Sequence, residues 1–318
     1  MTNRIIKRVA ALMLLLLTGT TGIVNAQYDA MFTQFMNNEM FINPAYAGTK
    51  EALALSALHR QQWVGFGDGR PITTTFTAHA PLMANKMGVG ISFLNESIGV
   101  LDRNLIYADY AYHLQLGEKS YLSLGLMGGV HLQLNKFGEV STLENGDPEF
   151  SKNTPTVATP NFGFGAYYHN DNFYAGFSIP RMIDDNIQVN SSGNVVKDLT
   201  VDFGSFHYYV MAGGLINASH SIKIKPQAMV KMAQGAQTQL DINVNALIKE
   251  RLWIGAAYRT GADVSGLLGI YITPQMLLGY AYDFSLTKIQ DYSNGSHELS
   301  LSYVFGFGGK KIVSPRYF

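Results

Sequence analysis

His297-Glu298 is the one adjacent pair in this 318-residue chain whose side chains could share acid and base work. An imidazole beside a carboxylate can pass protons in a hydrolase, but no nucleophile to activate is evident near it. Asp68-Gly69 and Asn145-Gly146-Asp147 have residue types found in calcium loops, and tight turns favour the same types for backbone reasons. HExxH, GxSxG, GxxxxGK[ST] and a GxGxxG between strand and helix are all absent. The chain has no Cys, so thiol chemistry, Cys-based zinc sites and disulfides are excluded. No catalytic, cofactor-binding or metal-binding set emerges, and an enzyme is not expected.

The elements that carry these residues begin with an address. Arg4, Lys7 and Arg8 precede the apolar run Val9–Leu17, and Val24-Asn25-Ala26 supplies small residues before Gln27. That order predicts a signal peptide over residues 1–26. Its apolar run is shorter than the ~20 residues of a spanning helix. Removing it leaves 20 basic against 23 acidic residues, a net charge of −3, which does not suit a nucleic-acid partner. Charged residues make up 14% of the chain, against ~25% in soluble domains, yet no later stretch is apolar enough to span as a helix. Instead the apolar residues are dispersed, with 18 Tyr, 18 Phe and 32 Gly.

Period-two alternation dominates. Ile106, Ala108, Tyr110, Tyr112 and Leu114 oppose Asp109, His113 and Gln115; Leu240, Ile242, Val244, Ala246 and Ile248 oppose Gln239, Asp241, Asn243 and Asn245. About fourteen such segments follow over residues 51–307, most near the length that crosses a bilayer when tilted. A soluble sandwich would also alternate, but its strands average ~5–6 residues. In hydrocarbon every backbone polar group must be paired, so spanning strands must close into a barrel. The reading is all-β: a transmembrane antiparallel β-barrel in the cell outer membrane, in contact with its lipids. Short connections alternate with longer ones such as 61–70, 97–102, 135–158 and 180–202, which puts the short turns in the periplasm and the long loops outside. His79, His113, His131 and His169, with Lys223, Lys225, Gln227, Lys231 and Gln237, fall on the lumen side. Tyr280, Tyr282 and Phe284 fall on the lipid side. Tyr282→Arg is then expected to cost ~2–4 kcal/mol, and Asp283→Asn to be mild. Pro226, which cannot donate a hydrogen bond, conflicts with its predicted mid-strand position.

Gln34-Phe35-Met36-Asn37 and Phe41-Ile42-Asn43-Pro44-Ala45-Tyr46-Ala47-Gly48 resemble the opening of the PorP/SprF family of type IX secretion outer-membrane proteins. Arg60-Gln61-Gln62-Trp63-Val64-Gly65-Phe66, Pro71-Ile72-Thr73, Trp253-Ile254-Gly255 with Tyr258-Arg259, Gly279-Tyr280-Ala281-Tyr282-Asp283 and Gly295-Ser296-His297-Glu298 follow in the family's order. The resemblance implies a non-enzymatic part in protein transport. It also implies periplasmic partners (the PorK lipoprotein, the PorN ring and PorE), contact with the C-terminal domains of secreted cargo, and a link to gliding motility. The core PorP role and the cargo-specific SprF-like role both stay open. The residues it marks are Gln34, Phe35, Asn43, Pro44, Ala45, Tyr46 and Gly48 ahead of the barrel, and Trp63, Trp253, Arg259, Asp283, His297 and Glu298 within it.

Residues 27–50 admit three readings: a segment that plugs the lumen, one that docks a periplasmic partner, or a strap that only braces the wall. As the segment before the first strand it is expected to start in the periplasm, and residues 308–318 are expected to form a periplasmic tail. A passive porin or nutrient transporter is the competing function.

Overall fold

The computed structural model describes residues 30–139, 153–189, 195–201, 206–234 and 236–306. The expected signal peptide and tail lie outside them. The strands are β1 (Ala54–Gln61), β2 (Ile72–Leu82), β3 (Met87–Ile98), β4 (Leu101–Gln115), β5 (Tyr121–Asn135), β6 (Val157–His169), β7 (Phe173–Ile179), β8 (Asp184–Val189), β9 (Val195–Thr200), β10 (Tyr208–Gly214), β11 (Ile216–Ser219), β12 (Ile222–Met232), β13 (Gln239–Ile248), β14 (Leu252–Arg259), β15 (Asp263–Thr273), β16 (Met276–Ser285) and β17 (Ser296–Val304).

β1 to β7 and β11 to β17 each pair antiparallel with their neighbours in sequence, and β1 pairs with β17 from Ala54↔Val304 to Gln61↔His297. β10 lies between β7 and β12, which closes the other side. β10 and β11 are two stretches of one wall strand, so the barrel is closed by fourteen strands. Closure satisfies the backbone within the lipid layer and leaves no open edge.

The alternation sorts as the sequence predicts. Ile106, Tyr110, Tyr112 and Leu114 of β4 face out, while Arg103, Tyr107, Asp109 and His113 are buried inside. On β16, Tyr280, Tyr282 and Phe284 face out and Asp283 faces in. His79, His113, His131 and His169 all face the lumen, as do Lys225, Gln227, Lys231, Gln239, Asp241, Asn243 and Asn245. Lys223 pairs with Glu250 of the β13–β14 turn, and Gln237 is exposed ahead of β13.

Three local details differ from the expected layout. The 97–102 connection shrinks to Gly99-Val100, because β3 and β4 stay paired to Ile98↔Leu101 and Gly99 takes a left-handed φ of 57°. The 180–202 loop carries the β8–β9 hairpin, whose strands pair only with each other. The turn expected at Asn217-Ala218-Ser219 moves to His220-Ser221, with a register shift between Asn217 and Ser219.

The Pro226 conflict also resolves. On the β13 side the ladder runs unbroken through Pro226↔Val244. On the other side it lapses between Gly213↔Gln227 and Ile216↔Ile224, opposite the proline. There Leu215 leaves the ladder and its N–H donates to the Asn172 carbonyl at 2.7 Å. A residue that cannot donate sits where no donor is needed.

Candidate functional site

Residues 30–50 occupy the lumen. They form a 3-10 turn at Phe35–Asn37, one α-helical turn at Glu39–Ile42 and a second 3-10 turn at Pro44–Tyr46. Fifteen of these 21 residues are buried and the other six are partly buried. Phe32, Phe35, Met40, Ile42, Ala45, Tyr46 and Ala47 pack with Leu58, Leu94, Tyr107, Tyr167, Tyr174, Met211 and Met229 of the wall. The apolar core of this barrel is therefore the contact between plug and wall.

The Asn43–Gly48 block folds for local reasons. Asn43 Oδ1 accepts the Ala45 N–H at 3.0 Å, and Pro44 opens the 3-10 turn with its fixed φ. Tyr46 N–H donates to the Asn43 carbonyl at 3.1 Å, and Gly48 turns the chain at φ 80°. The same asparagine anchors the turn to the wall: Asn43 Nδ2 donates to the Ala166 carbonyl at 3.0 Å and the Phe177 carbonyl at 3.3 Å. Gly48 N–H donates to His79 Nδ1 at 2.9 Å, and Ser178 Oγ to the Ile42 carbonyl at 2.8 Å.

The wall is carved to receive this block. A methyl group at Gly165 would overlap Asn43 Oδ1, and one at Gly125 would overlap the Ala45 backbone. These two glycines let the plug lie backbone-close against β6 and β5.

At its other end the plug is held by charge. Arg60 of β1 pairs with Asp283 of β16 at 2.6 Å and Glu298 of β17 at 3.0 Å, all buried. Both carboxylates also hold the plug. Asp283 accepts from Thr33 Oγ1 at 2.8 Å, and Glu298 accepts the Thr33 and Gln34 N–H groups at 2.9 and 2.6 Å. Gln34 Nε2 donates to the Glu298 carbonyl at 3.2 Å, and Gln34 Oε1 accepts from Ser300 Oγ at 2.8 Å. Beside them Arg259 pairs with Asp241 at 2.9 Å and Asp263 at 3.3 Å, and donates to the Phe32 carbonyl at 2.9 Å. Lys231 completes the group at 2.9 Å from Asp241.

The plug traverses the lumen. Met31 and Phe32 touch Gln239 and Arg259, which lie at the end of the barrel that carries the long loops, although their own connections, 233–238 and 260–262, are short. Gly48 lies against Gly88 at the start of β3, beside a short turn. The segment therefore begins at the long-loop end and descends to the short-turn end, where β1 starts. This corrects the expectation that it begins on the side of the short turns.

Of the sequence-marked residues, Gln34, Arg259, Asp283 and Glu298 meet in the clamp. Phe35 is packed in the core, and Asn43, Pro44, Ala45, Tyr46 and Gly48 form the inner block. Trp253 lines the lumen near the short turns. Trp63 lies in the β1–β2 loop, where its N–H donates to Ser296 Oγ at 3.1 Å and its ring meets Phe66. His297 is separated from Glu298 by strand alternation: it lies on the outer side, hydrogen-bonded to the Tyr280 hydroxyl at 2.7 Å. The two cannot act as an acid–base pair on one substrate. The mildness expected for Asp283→Asn is also overturned, because Asp283 is ion-paired and bonded to the plug rather than solvated.

Sequence reasoning missed Arg60, Thr33 and Asp241 as partners. Their signal is a charge or hydroxyl at the inward phase of a spanning strand, or opposite one. Glu39 in the plug is buried and accepts from the Tyr167 hydroxyl at 3.0 Å. Burial holds its carboxyl above the ordinary carboxylate range, against the opposing pull of Lys225, Lys50 and the Tyr167 hydroxyl. Among the described residues no three His, Asp or Glu side chains are grouped to hold a metal ion.

A comparison with curated proteins returns no match. Among solved structures, the Ralstonia pickettii toluene transporter TbuX is similar at 10% identity, with 92% of this chain and 97% of that chain covered and a TM-score of 0.49. The P. putida toluene transporter TodX stands at 11%, 92%, 98% and 0.48. The Acinetobacter baumannii outer membrane protein Omp33 stands at 11%, 80%, 100% and 0.46. The family model described as type IX secretion system membrane protein PorP/SprF matches residues 24–303. With the plugged fourteen-stranded barrel and the ordered motif blocks, that match shows that this outer-membrane chain belongs to the PorP/SprF family.

Proposed function

We propose that this protein is a plugged, non-enzymatic component of the type IX secretion system that acts by protein contact and not as a passive porin. The observation that carries the reading is the lumen filled by residues 30–50, packed and ion-clamped to the wall. A diffusion channel needs an open polar path, and here apolar side chains and buried ion pairs stand in that path. The work then falls to the two rims. The short-turn rim meets the periplasmic components (the PorK lipoprotein, the PorN ring and PorE), and exported cargo C-terminal domains are the remaining contact. In this reading residues 1–26 are removed as a signal peptide and residues 308–318 remain periplasmic. Within the plug segment from Gln34 to Gly48, the block from Asn43 to Gly48 sets the shape of the inner rim.

The test combines conductance with export. Purified protein in planar bilayers should show no steady open-pore current. A strain lacking the gene should fail to deliver cargo with type IX C-terminal signals to the surface while taking up small solutes normally. Tagged protein should copurify the periplasmic components. Selective solute conductance together with normal cargo export would establish the porin reading instead.

A further inference from the structure

Between the plug and the wall a cavity of about 90 Å³ remains at the short-turn end of the lumen. Trp253, the second residue of β14, and Leu277, the second of β16, place it there, and Met36 and Asn37 close it from the plug side. A buried water needs roughly 10–15 Å³ measured this way, so the space matches a molecule displacing about six or more waters.

Four amide side chains line this space, and their two ends are sorted. The nitrogens turn to the protein. Gln34 Nε2 donates to the Glu298 carbonyl at 3.2 Å, and Asn37 Nδ2 to Gln34 Oε1 and Ser300 Oγ at 3.2 and 3.0 Å. Gln227 Nε2 donates to the Tyr174 hydroxyl at 2.7 Å, and Asn245 Nδ2 to Asn243 Oδ1 at 2.5 Å. The amide oxygens of Asn37, Gln227 and Asn245 receive no donor among the described residues. Gln227 is 97% buried, and a buried acceptor left without a donor is rare enough in folded proteins to point to a missing partner. The rest of the lining is largely apolar, with the rings of Trp253 and Tyr271 and the side chains of Leu267 and Leu277. Lys50 and Lys225 stand at the edge and are engaged with the protein: Lys50 Nζ lies 5.9 Å from the Tyr46 ring centre, Lys225 Nζ 6.0 Å from that of Tyr174, and both act on Glu39. Recognition therefore falls to neutral groups, three acceptors beside an aromatic floor.

We propose that this cavity binds one pyranose ring, either as a free sugar or as the terminal residue of a glycan. A sugar ring is neutral, carries several O–H donors around its rim and has an apolar C–H face. Its hydroxyls donate to Asn37 Oδ1, Gln227 Oε1 and Asn245 Oδ1, and its C–H face rests on Trp253, the division between a few placed polar groups and an aromatic surface that small-molecule sites use. The site needs the plug in place, because Asn37 belongs to it. It does not depend on the secretion reading, since glycoside binding and cargo export are separate measurements.

The chain has two tryptophans, so a Trp63→Phe background leaves Trp253 as the sole indole reporter. Detergent-solubilised protein is titrated with the methyl β-glycosides of glucose, galactose and N-acetylglucosamine, and at least one should change the fluorescence saturably. Cyclohexanol, a ring of the same size with one hydroxyl, should bind at least about tenfold more weakly, a comparison that needs no further substitution. Asn245→Ala should weaken the glycoside by about tenfold, and Asn245→Asp, which keeps an acceptor there, should restore it to within about threefold. A tetrasaccharide of the preferred sugar that binds as well as the single residue identifies a glycan end as the source. Binding confined to the single residue identifies a free sugar. No saturable response to any of the three glycosides, or equal affinity for glycoside and cyclohexanol, overturns the proposal and leaves the cavity to water.

Discussion

Arg60 and Asp283 meet at 2.6 Å inside the barrel, and the Thr33 hydroxyl of the plug bonds to both, at 3.0 Å to Arg60 and 2.8 Å to Asp283. An ion pair of the wall thus doubles as the anchor of the plug. Glu298 still faces Arg60 when Asp283 is neutralised, so the loss is that of charge-assisted hydrogen bonds to Arg60 and Thr33, about 1.5–3 kcal/mol. Asp283→Asn should lower the unfolding free energy of the purified barrel, read from urea curves, by that order, comparable to Tyr282→Arg on the lipid face at ~2–4 kcal/mol. An Asp283→Asn protein as stable as wild type would mean that the clamp contributes nothing.

The glycine seats give a sterically defined test. Gly165→Ala should push Asn43 off the Ala166 and Phe177 carbonyls and cost about 1–3 kcal/mol. Gly266→Ala, where an added methyl meets open space, should stay within about 0.5 kcal/mol. Because the chain has no cysteine, Ala45→Cys can report plug exposure by maleimide labelling. It should be protected in the parent and labelled in the Gly165→Ala background.

Asn43→Ala with Pro44→Ala removes the inner turn and both side-chain anchors of Asn43 while leaving every strand intact. The variant barrel should assemble and remain heat-modifiable on gels, yet lose partner copurification or cargo export. Normal export by this variant would reduce the block to a brace.

The Glu39 carboxyl supplies a pH dependence. Its value with the plug seated lies above the ordinary carboxylate range because of burial. The seated plug therefore holds that proton more tightly than a withdrawn one, and seating weakens as pH rises from the ordinary value through the raised one. Lys50, Lys225, Tyr46, Tyr167 and Tyr174 face the same group and are unchanged in Glu39→Gln. Wild type should lose stability relative to Glu39→Gln as pH rises above the ordinary carboxylate range, read as the difference in urea midpoints. Parallel curves would remove Glu39 as the cause.

Orientation is tested on whole cells. A tag after Asn153, in the β5–β6 connection, should be reached by antibody on intact cells. One at Asn85, in the β2–β3 turn, should be reached only after permeabilisation. The reverse pattern would invert the barrel.

Much of the wall was legible because lipid on one side and a polar interior on the other impose strict alternation, seen in Tyr280, Asp283 and Phe284. The clamp was legible only in part. Arg259, Asp283 and Glu298 stood out as family residues, but their plug partners Phe32, Thr33 and Gln34 lie more than 220 positions away, and no local pattern encodes such pairing. Adjacency even misled at His297-Glu298, where neighbours in sequence are divided by the barrel wall. The direction of the plug was illegible because residues 30–50 have no periodicity of their own; their shape comes from the seats at Gly125 and Gly165.

The clamp also imposes a timetable. Thr33 and Gln34 are synthesised some 250 residues before Asp283 and Glu298. Arg60 can meet both carboxylates only when β1 is zipped to β17 beside β16. The opening segment is therefore fastened by the closing strands. A chain stalled before its final hairpin would hold a plug whose outer end is untied, and so would differ in protease sensitivity from the finished barrel at the end of the molecule farthest from the defect in sequence.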